Sequence, residues 1–380
     1  MNPKAQYSHF SIDVSVPFIF YGKSHSVDEL VRHQVSKYLN FMSVKELNVI
    51  RASGSWTIPT DRGRIFADKH LKLIEKRALM TIFKTAAQTQ SALVHSTTLV
   101  GSDSKNPVVS SAVQLDPSLS AVAYLHSINI VRPDIVLGII HCVCMYPLPA
   151  DTMKAVDMMY RIGKFIASLD AYETGCPFLV PTYGNGDIPQ SFARIAAVHG
   201  ATQILGCSYE SIKNELRDKN YVLINDDSRH AFRIIHGVIG TCLVELDPQT
   251  ISLNLIIDEE PNFLQHPVYC LTIPHSASGE TRPGVCPPST CLRHIFSIVS
   301  DEKSDVERME LVLSKYRNDK VLFERVFIEN SFGREPGNFF DIDSFMHTAT
   351  EELNHLLGRA RSDPLPVPPP PSNPFEDTTD

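Results

Sequence analysis

The residues best equipped for chemistry are a closely spaced thiol pair, Cys142-Val143-Cys144, the nearby His141, and His126 inside Tyr-Leu-His-Ser-Ile. A metal site would need a second Cys or His pair at zinc spacing, and none follows, so the two thiols read as small buried hydrophobes. His126 and His141 have apolar neighbours on helical segments and read as hydrogen-bonded structural histidines. The acidic pairs Asp226/Asp227 and Glu351/Glu352 are adjacent in sequence. Neighbouring side chains diverge on a strand or a helix, so neither pair forms an acid/base dyad. Gly-x-Ser-x-Gly, Gly-x-x-x-x-Gly-Lys-Ser/Thr and His-Glu-x-x-His do not occur, and no other catalytic constellation stands out. The remaining candidate is a glycine turn, Gly184 and Gly186, followed by Asp187 and a helical run. A helix start after glycines can cradle phosphate. Here the spacing is not Gly-x-Gly-x-x-Gly, and Asp187 puts negative charge where the phosphate would sit. Asp187 therefore reads first as a helix cap.

The helix opened by Asp187 carries Pro189 in its first turn and stops at Gly200, with an apolar, strand-like run from Thr202 to Leu205 beyond it. Phe192, Ile195, Ala196 and His199 fall at i, i+3, i+4 and i+7, which predicts a buried face. Gln190, Arg194 and Ala197 then look outward. Before this helix, Leu71, Ile74, Ala78, Ile82 and Phe83 recur at helical spacing. Further helices are expected at 27–41, 118–130, 134–145 and 151–172. Strands are expected at 178–181, 202–207, 221–225, 234–246, 251–257, 269–273 and 321–328, with a helix at 304–316. The pattern is α/β with a helical insertion: residues 1–65 and 175–350 form a large α/β domain, 66–174 a helical domain, and 351–380 a helix end and tail. Pro364, Pro366 and Pro368 to Pro371 make that tail extended and solvated, a tether before it is a ligand.

Composition narrows the functional classes. The chain has 380 residues, is 43% hydrophobic, and carries a formal charge of -8. Such a chain can bury a large core, and its acidity argues against nucleic acid as a partner. The longest apolar run, Ile135 to Leu148, is short for a membrane span and contains His141 and Pro147. Eight cysteines without regular spacing, and no Asn-x-Ser/Thr acceptor, fit a cytosolic protein.

The segment Thr182 to Leu205 resembles the signature of the Rab GDP-dissociation inhibitor and Rab escort protein superfamily. Phe10 to Tyr21, Val35 to Phe41 and Ile74 to Phe83 look like further family blocks in the same order. Ile65 to Met80, Tyr124 to Ile128, Val268 to Ile273 and the proline-rich end lean toward the escort proteins. The resemblance implies a sheet domain akin to flavin-binding oxidoreductases with an inserted helical domain, and no cofactor or catalysis of its own. It implies binding of GDP-loaded Rab GTPases, presentation of them to the Rab geranylgeranyltransferase heterodimer, and shielding of the geranylgeranyl lipid on the product until membrane delivery. A dissociation inhibitor that recycles membrane Rabs, and a flavin-dependent oxidoreductase of related fold, are the competing readings. By position in the motif, the Rab-binding platform implied is Asp187, Arg194, Thr202 and Ile204. Phe165 is the implied aromatic anchor for the transferase, with a core phenylalanine as the alternative. Met153 to Met159 would suit a groove that opens for lipid. The family's first βαβ unit with its Gly-x-Gly turn, on the order of a hundred residues, has no counterpart before Phe10, which puts Rab affinity in question.

Overall fold

The computed structural model describes residues 17–97, 115–169, 171–172, 175–201, 233–244, 250–257, 262–275, 286, 289–299, 307–309, 311–312, 314 and 321–333. Its strands are β1 (Phe20–Tyr21), β2 (Phe41–Ser43), β3 (Glu46–Arg51), β4 (Gly54–Thr57), β5 (Phe178–Pro181), β6 (Arg233–Val244), β7 (Ser252–Ile256), β8 (Val268–Pro274), β9 (Cys291–Val299) and β10 (Val321–Gly333). Its α-helices are α1 (His25–Arg32), α2 (Arg62–Ala67), α3 (Leu73–Thr97), α4 (Ala121–Ser127), α5 (Pro133–Leu137), α6 (Ala155–Leu169) and α7 (Asp187–Val198). A small sheet has the order β1-β5-β2, and a seven-stranded sheet the order β10-β6-β9-β8-β7-β3-β4. The larger sheet is mixed: β3 pairs in parallel with β7, whereas β7 pairs antiparallel with β8. An α/β fold with a helical segment inserted between β4 and β5 is thus the architecture.

The inserted helices do not close a core of their own. Val49 and Trp56 of the sheet, Leu79 and Ile82 of α3, Ile162 and Phe165 of α6, and Leu255 and Tyr269 of β7 and β8 all belong to one buried cluster. The joint is a π-helical turn, Gly138–Val143, that continues α5. A Cβ at Gly138 would lie 3.1 Å from Val49, 3.2 Å from Trp56 and 3.3 Å from Ile58. Only the missing side chain lets the helix come this close to β3 and β4. The helix expected over 134–145 is accordingly a short α-helix passing into a π turn, a form frequent where a helix must adapt locally.

Two other expectations change. The helical run over 27–41 ends at Arg32, because Gln34 adopts a left-handed backbone (φ 59) before a 3-10 turn at Val35–Tyr38, and Phe41 begins β2. Strand β9 was not foreseen. Arg293, His294 and Ser297 are buried along with Leu292, Ile295, Phe296 and Ile298, so the strand has neither a polar face nor an unbroken apolar run. The strands expected at 202–207 and 221–225 and the proline-rich tail lie outside the described residues.

Candidate functional site

Helix α7 is built from its ends inward. Gly184 (φ 89) turns the chain after β5, and the Asn185 side chain accepts the Phe18 amide at 2.8 Å. Asp187 is the first helical residue, where its carboxylate faces the positive end of the helix dipole. At the other end, Gly200 (φ 84) donates to Ala197 O at 3.0 Å and Ala201 to Ala196 O at 2.9 Å, the paired bonds of a Schellman stop. The expected stop at Gly200 holds, whereas the cap reading of Asp187 is corrected: Gly186 occupies the N-cap position without a side-chain cap bond, and Asp187 lies one residue inside, where the dipole favours it.

The inward face holds Ile188, Ser191, Phe192 and Ile195. Ile188, Phe192 and Ile195 pack on a second core cluster made by Phe20, Val27, Leu30, Val35, Leu39 and Leu179. His199, expected on that face, is exposed, because the helix has ended by Val198. Gln190, Arg194 and Ala197 are exposed as anticipated. Asp187 and Arg194 lie seven residues apart, which places them within about 20° of each other around the helix and about 10 Å apart along it. The two α7 residues that the resemblance singles out therefore share one side of the helix, Arg194 exposed and Asp187 half-buried. Thr202 and Ile204 lie outside the described residues.

One member of the site was not legible in the sequence. The Arg194 guanidinium sits 4.6 Å from the ring centroid of Tyr38, at the end of the 3-10 turn. A cation over an aromatic face at an exposed site gains about 0.5–1 kcal/mol, enough to favour one orientation of a side chain with several rotamers. The signal was the tyrosine in Val35 to Phe41, but its proximity to Arg194 depends on α7 crossing the 3-10 turn.

Phe165 is fully buried. Its ring lies 5.7 Å from Phe178 and 6.4 Å from Phe83. A ring sealed on all sides offers no surface to a partner, so Phe165 takes the core role and its reading as an aromatic anchor is corrected. Met153, Met158 and Met159 are likewise buried in the main core. An apolar cleft instead opens between α3 and α4, about 230 Å³, lined by Ile74, Arg77, Ala78, Thr81, Ile82, Tyr124 and Ile128.

The thiol pair and the two histidines sit apart from this surface. His141 is buried, its Nδ1 is 2.7 Å from Tyr146 O, and burial draws its imidazole down to about 4. Burial pushes the Cys144 thiol up to about 12, against a smaller opposing effect of Arg161, and raises Cys142 further. Protonated thiols and a neutral imidazole in a packed core are structural groups. His126 is exposed on α4, so its reading as a packed structural histidine is corrected.

Residues 134–235 match the family model described as GDP dissociation inhibitor. Rab escort protein 1 of Arabidopsis thaliana is 27% identical over 52% of this chain and 35% of its own length. Rab proteins geranylgeranyltransferase component A 1 of Rattus norvegicus is 25% identical over 66% of this chain and 39% of its own length. A guanosine nucleotide diphosphate dissociation inhibitor of Arabidopsis thaliana is 27% identical over 52% of this chain and 41% of its own length. The chain thus spans well under half the length of each of these relatives. The crystal structure of Rab GDI from Plasmodium falciparum superposes with a TM-score of 0.61 at 15% identity, over 95% of this chain and 86% of that one, and so shares the fold. Helix α7 lies within the matched segment, and the sequence likenesses taken together are to proteins of the Rab GDP-dissociation inhibitor and Rab escort protein superfamily.

Proposed function

We propose that this chain is an escort protein: it binds GDP-loaded Rab GTPases, presents them to the Rab geranylgeranyltransferase heterodimer, and keeps the geranylgeranylated product soluble in the cytosol. The observation that carries the reading is the exposed Arg194, braced by Tyr38 on α7 inside the segment matched by the family model, with the half-buried Asp187 about two turns away on the same side of the helix. A carboxylate and a guanidinium about two helical turns apart offer one acceptor and one forked donor to a protein surface. Thr202 and Ile204 are proposed to extend the same platform. The cleft between α3 and α4 is the proposed shelter for lipid, its apolar lining of Ile74, Ala78, Ile82, Ile128 and Tyr124 accompanied by the polar Arg77 and Thr81. In this reading the protein makes and breaks no bond; it is an accessory to the transferase.

The decisive experiment adds the protein to unprenylated Rab, the transferase heterodimer and geranylgeranyl diphosphate. Restored lipid transfer supports an escort protein, and unchanged transfer at high concentration rejects it. A second reading, a dissociation inhibitor that recycles membrane Rabs, is favoured by the similarity to the Arabidopsis thaliana inhibitor and the Plasmodium falciparum structure. It predicts extraction of prenylated Rab from membranes without support of transfer.

A further inference from the structure

Residues 61–77 alternate acidic and basic side chains in sequence, yet the fold separates them. Asp68 turns inward, accepting the Trp56 indole N–H at 3.0 Å and the backbone amides of His70 and Leu71 at 2.7 and 2.8 Å. Glu75 is 2% exposed; it accepts the Lys72 amide at 2.7 Å and forms an ion pair with Arg132 at 3.1 Å. Both carboxylates are therefore consumed by the chain that frames them. Arg62, Arg64, Lys69, Lys72 and Arg77 are all exposed. The exposed acid of the stretch is Asp61, which caps α2 and pairs with Arg64 at 3.1 Å. The outer surface of this corner is consequently basic, in a chain whose net charge is -8.

Large apolar side chains stand among these cations. Phe66 is 55% exposed, Leu73 64%, Ile74 50% and Val131 57%. They belong to one corner: Lys76 donates to Phe66 O at 2.8 Å, tying α3 to α2, and Arg132 donates to His70 O at 3.0 Å, bringing the start of α5 alongside. The Arg62 guanidinium lies 5.7 Å from the Phe66 ring. Exposed Phe, Leu and Ile interleaved with Lys and Arg form the composition of a surface that rests in a headgroup layer, with side chains entering the acyl boundary and cations meeting lipid phosphates and carboxylates.

We propose that the corner formed by α2, the 68–72 turn and the start of α3 is a docking surface for anionic lipid bilayers. Charge complementarity selects the occupant, since an acidic membrane satisfies the outward cations and the apolar side chains together without requiring a shaped pocket for each. An acidic protein partner is the competing occupant. The inference goes beyond the escort reading and does not require it, because the chain alone should bind vesicles in the absence of any Rab.

The test is sedimentation of the full chain with vesicles of phosphatidylcholine, and with vesicles in which about a third of the lipid is phosphatidylserine. Retention by the second kind alone, reduced by high salt, is expected. The triple variant Lys69→Glu, Lys72→Glu, Arg77→Glu should lower partitioning at least tenfold, and Leu73→Ser with Ile74→Ser should lower it severalfold. Both sets alter exposed positions, and circular dichroism melting would show that each variant folds. Equal binding to both vesicle types, no binding, or binding unaffected by either set would overturn the proposal. So would variants that keep vesicle binding but lose affinity for Rab or the transferase, which would reassign the corner to a protein partner.

Discussion

Tyr38 and Arg194 are 156 positions apart in the chain, yet the tyrosine ring lies 4.6 Å from the guanidinium, at the place where α7 passes the 3-10 turn. The contact restrains the one fully charged donor of α7 while leaving it exposed. A restrained side chain loses less entropy when a partner engages it.

Arg194→Ala should weaken binding of GDP-loaded Rab by about 1–3 kcal/mol, the range for a hydrogen-bonded charged group at an interface. The melting temperature should hardly move, since the group is exposed. Tyr38→Ala should cost less, through looser positioning of Arg194, and Arg194→Ala should be no worse in the Tyr38→Ala background than alone. Titration calorimetry with the four proteins of this cycle measures the coupling. Additive losses would show that Tyr38 acts independently of Arg194.

Gly138 should tolerate no branched side chain. Its neighbours Val49, Trp56 and Ile58 already stand at the limit of contact with a bare Cβ. Gly138→Val is expected to destabilise the fold by about 1–3 kcal/mol through overpacking. Gly138→Ala should cost less, since better helix propensity, worth about 1 kcal/mol, offsets part of the crowding. Urea denaturation of the two variants separates the terms.

His141 makes stability depend on acid. Its folded value is depressed to about 4 from 6.5, so between those values the unfolded chain binds the proton that the folded chain refuses. The stability linked to this group is complete above about pH 6.5 and falls as pH drops toward 4, at up to about 1.4 kcal/mol per pH unit. Unfolding free energies at pH 7.5, 6 and 5 should show the decline. In His141→Gln the decline over this window should be shallower, whatever the variant's absolute stability.

The sequence exposed some of this design and hid the rest for identifiable reasons. Helix α7 was legible at both ends because its boundaries are set by local chemistry: glycines with positive φ, an aspartate at the start, and proline in the first turn. Strands β5, β7 and β8 were legible because short apolar runs between turn residues leave few alternatives. Strand β9 was hidden because Arg293, His294 and Ser297 are buried despite their polarity. The bracing of Arg194 by Tyr38, and the inward turning of Asp68 and Glu75, are tertiary facts. No window of sequence distinguishes an outward Lys72 from an inward Glu75 three residues later.

The inward turn of Glu75 is sustained by a charge partner. Glu75 is 2% exposed and its partner Arg132 comes from the residue just before α5, so the ion pair ties the start of α3 to the second half of the helical insertion. Removing one member should cost more than removing both. Arg132→Leu leaves a buried carboxylate without its counter-charge and should destabilise by about 3–5 kcal/mol. Glu75→Gln keeps an acceptor for the Lys72 amide, and should cost roughly 1–2 kcal/mol, near the value of one charged hydrogen bond. The double variant Glu75→Leu, Arg132→Leu should recover much of the Arg132→Leu loss, because the desolvated charge disappears with its partner. Chemical denaturation of these variants, with Glu75→Leu alone added to complete the cycle, yields the coupling between the two side chains. A double variant as unstable as the sum of its parts would mean that the pair contributes through separate contacts, Glu75 to the helix start and Arg132 to His70, and not through attraction between them.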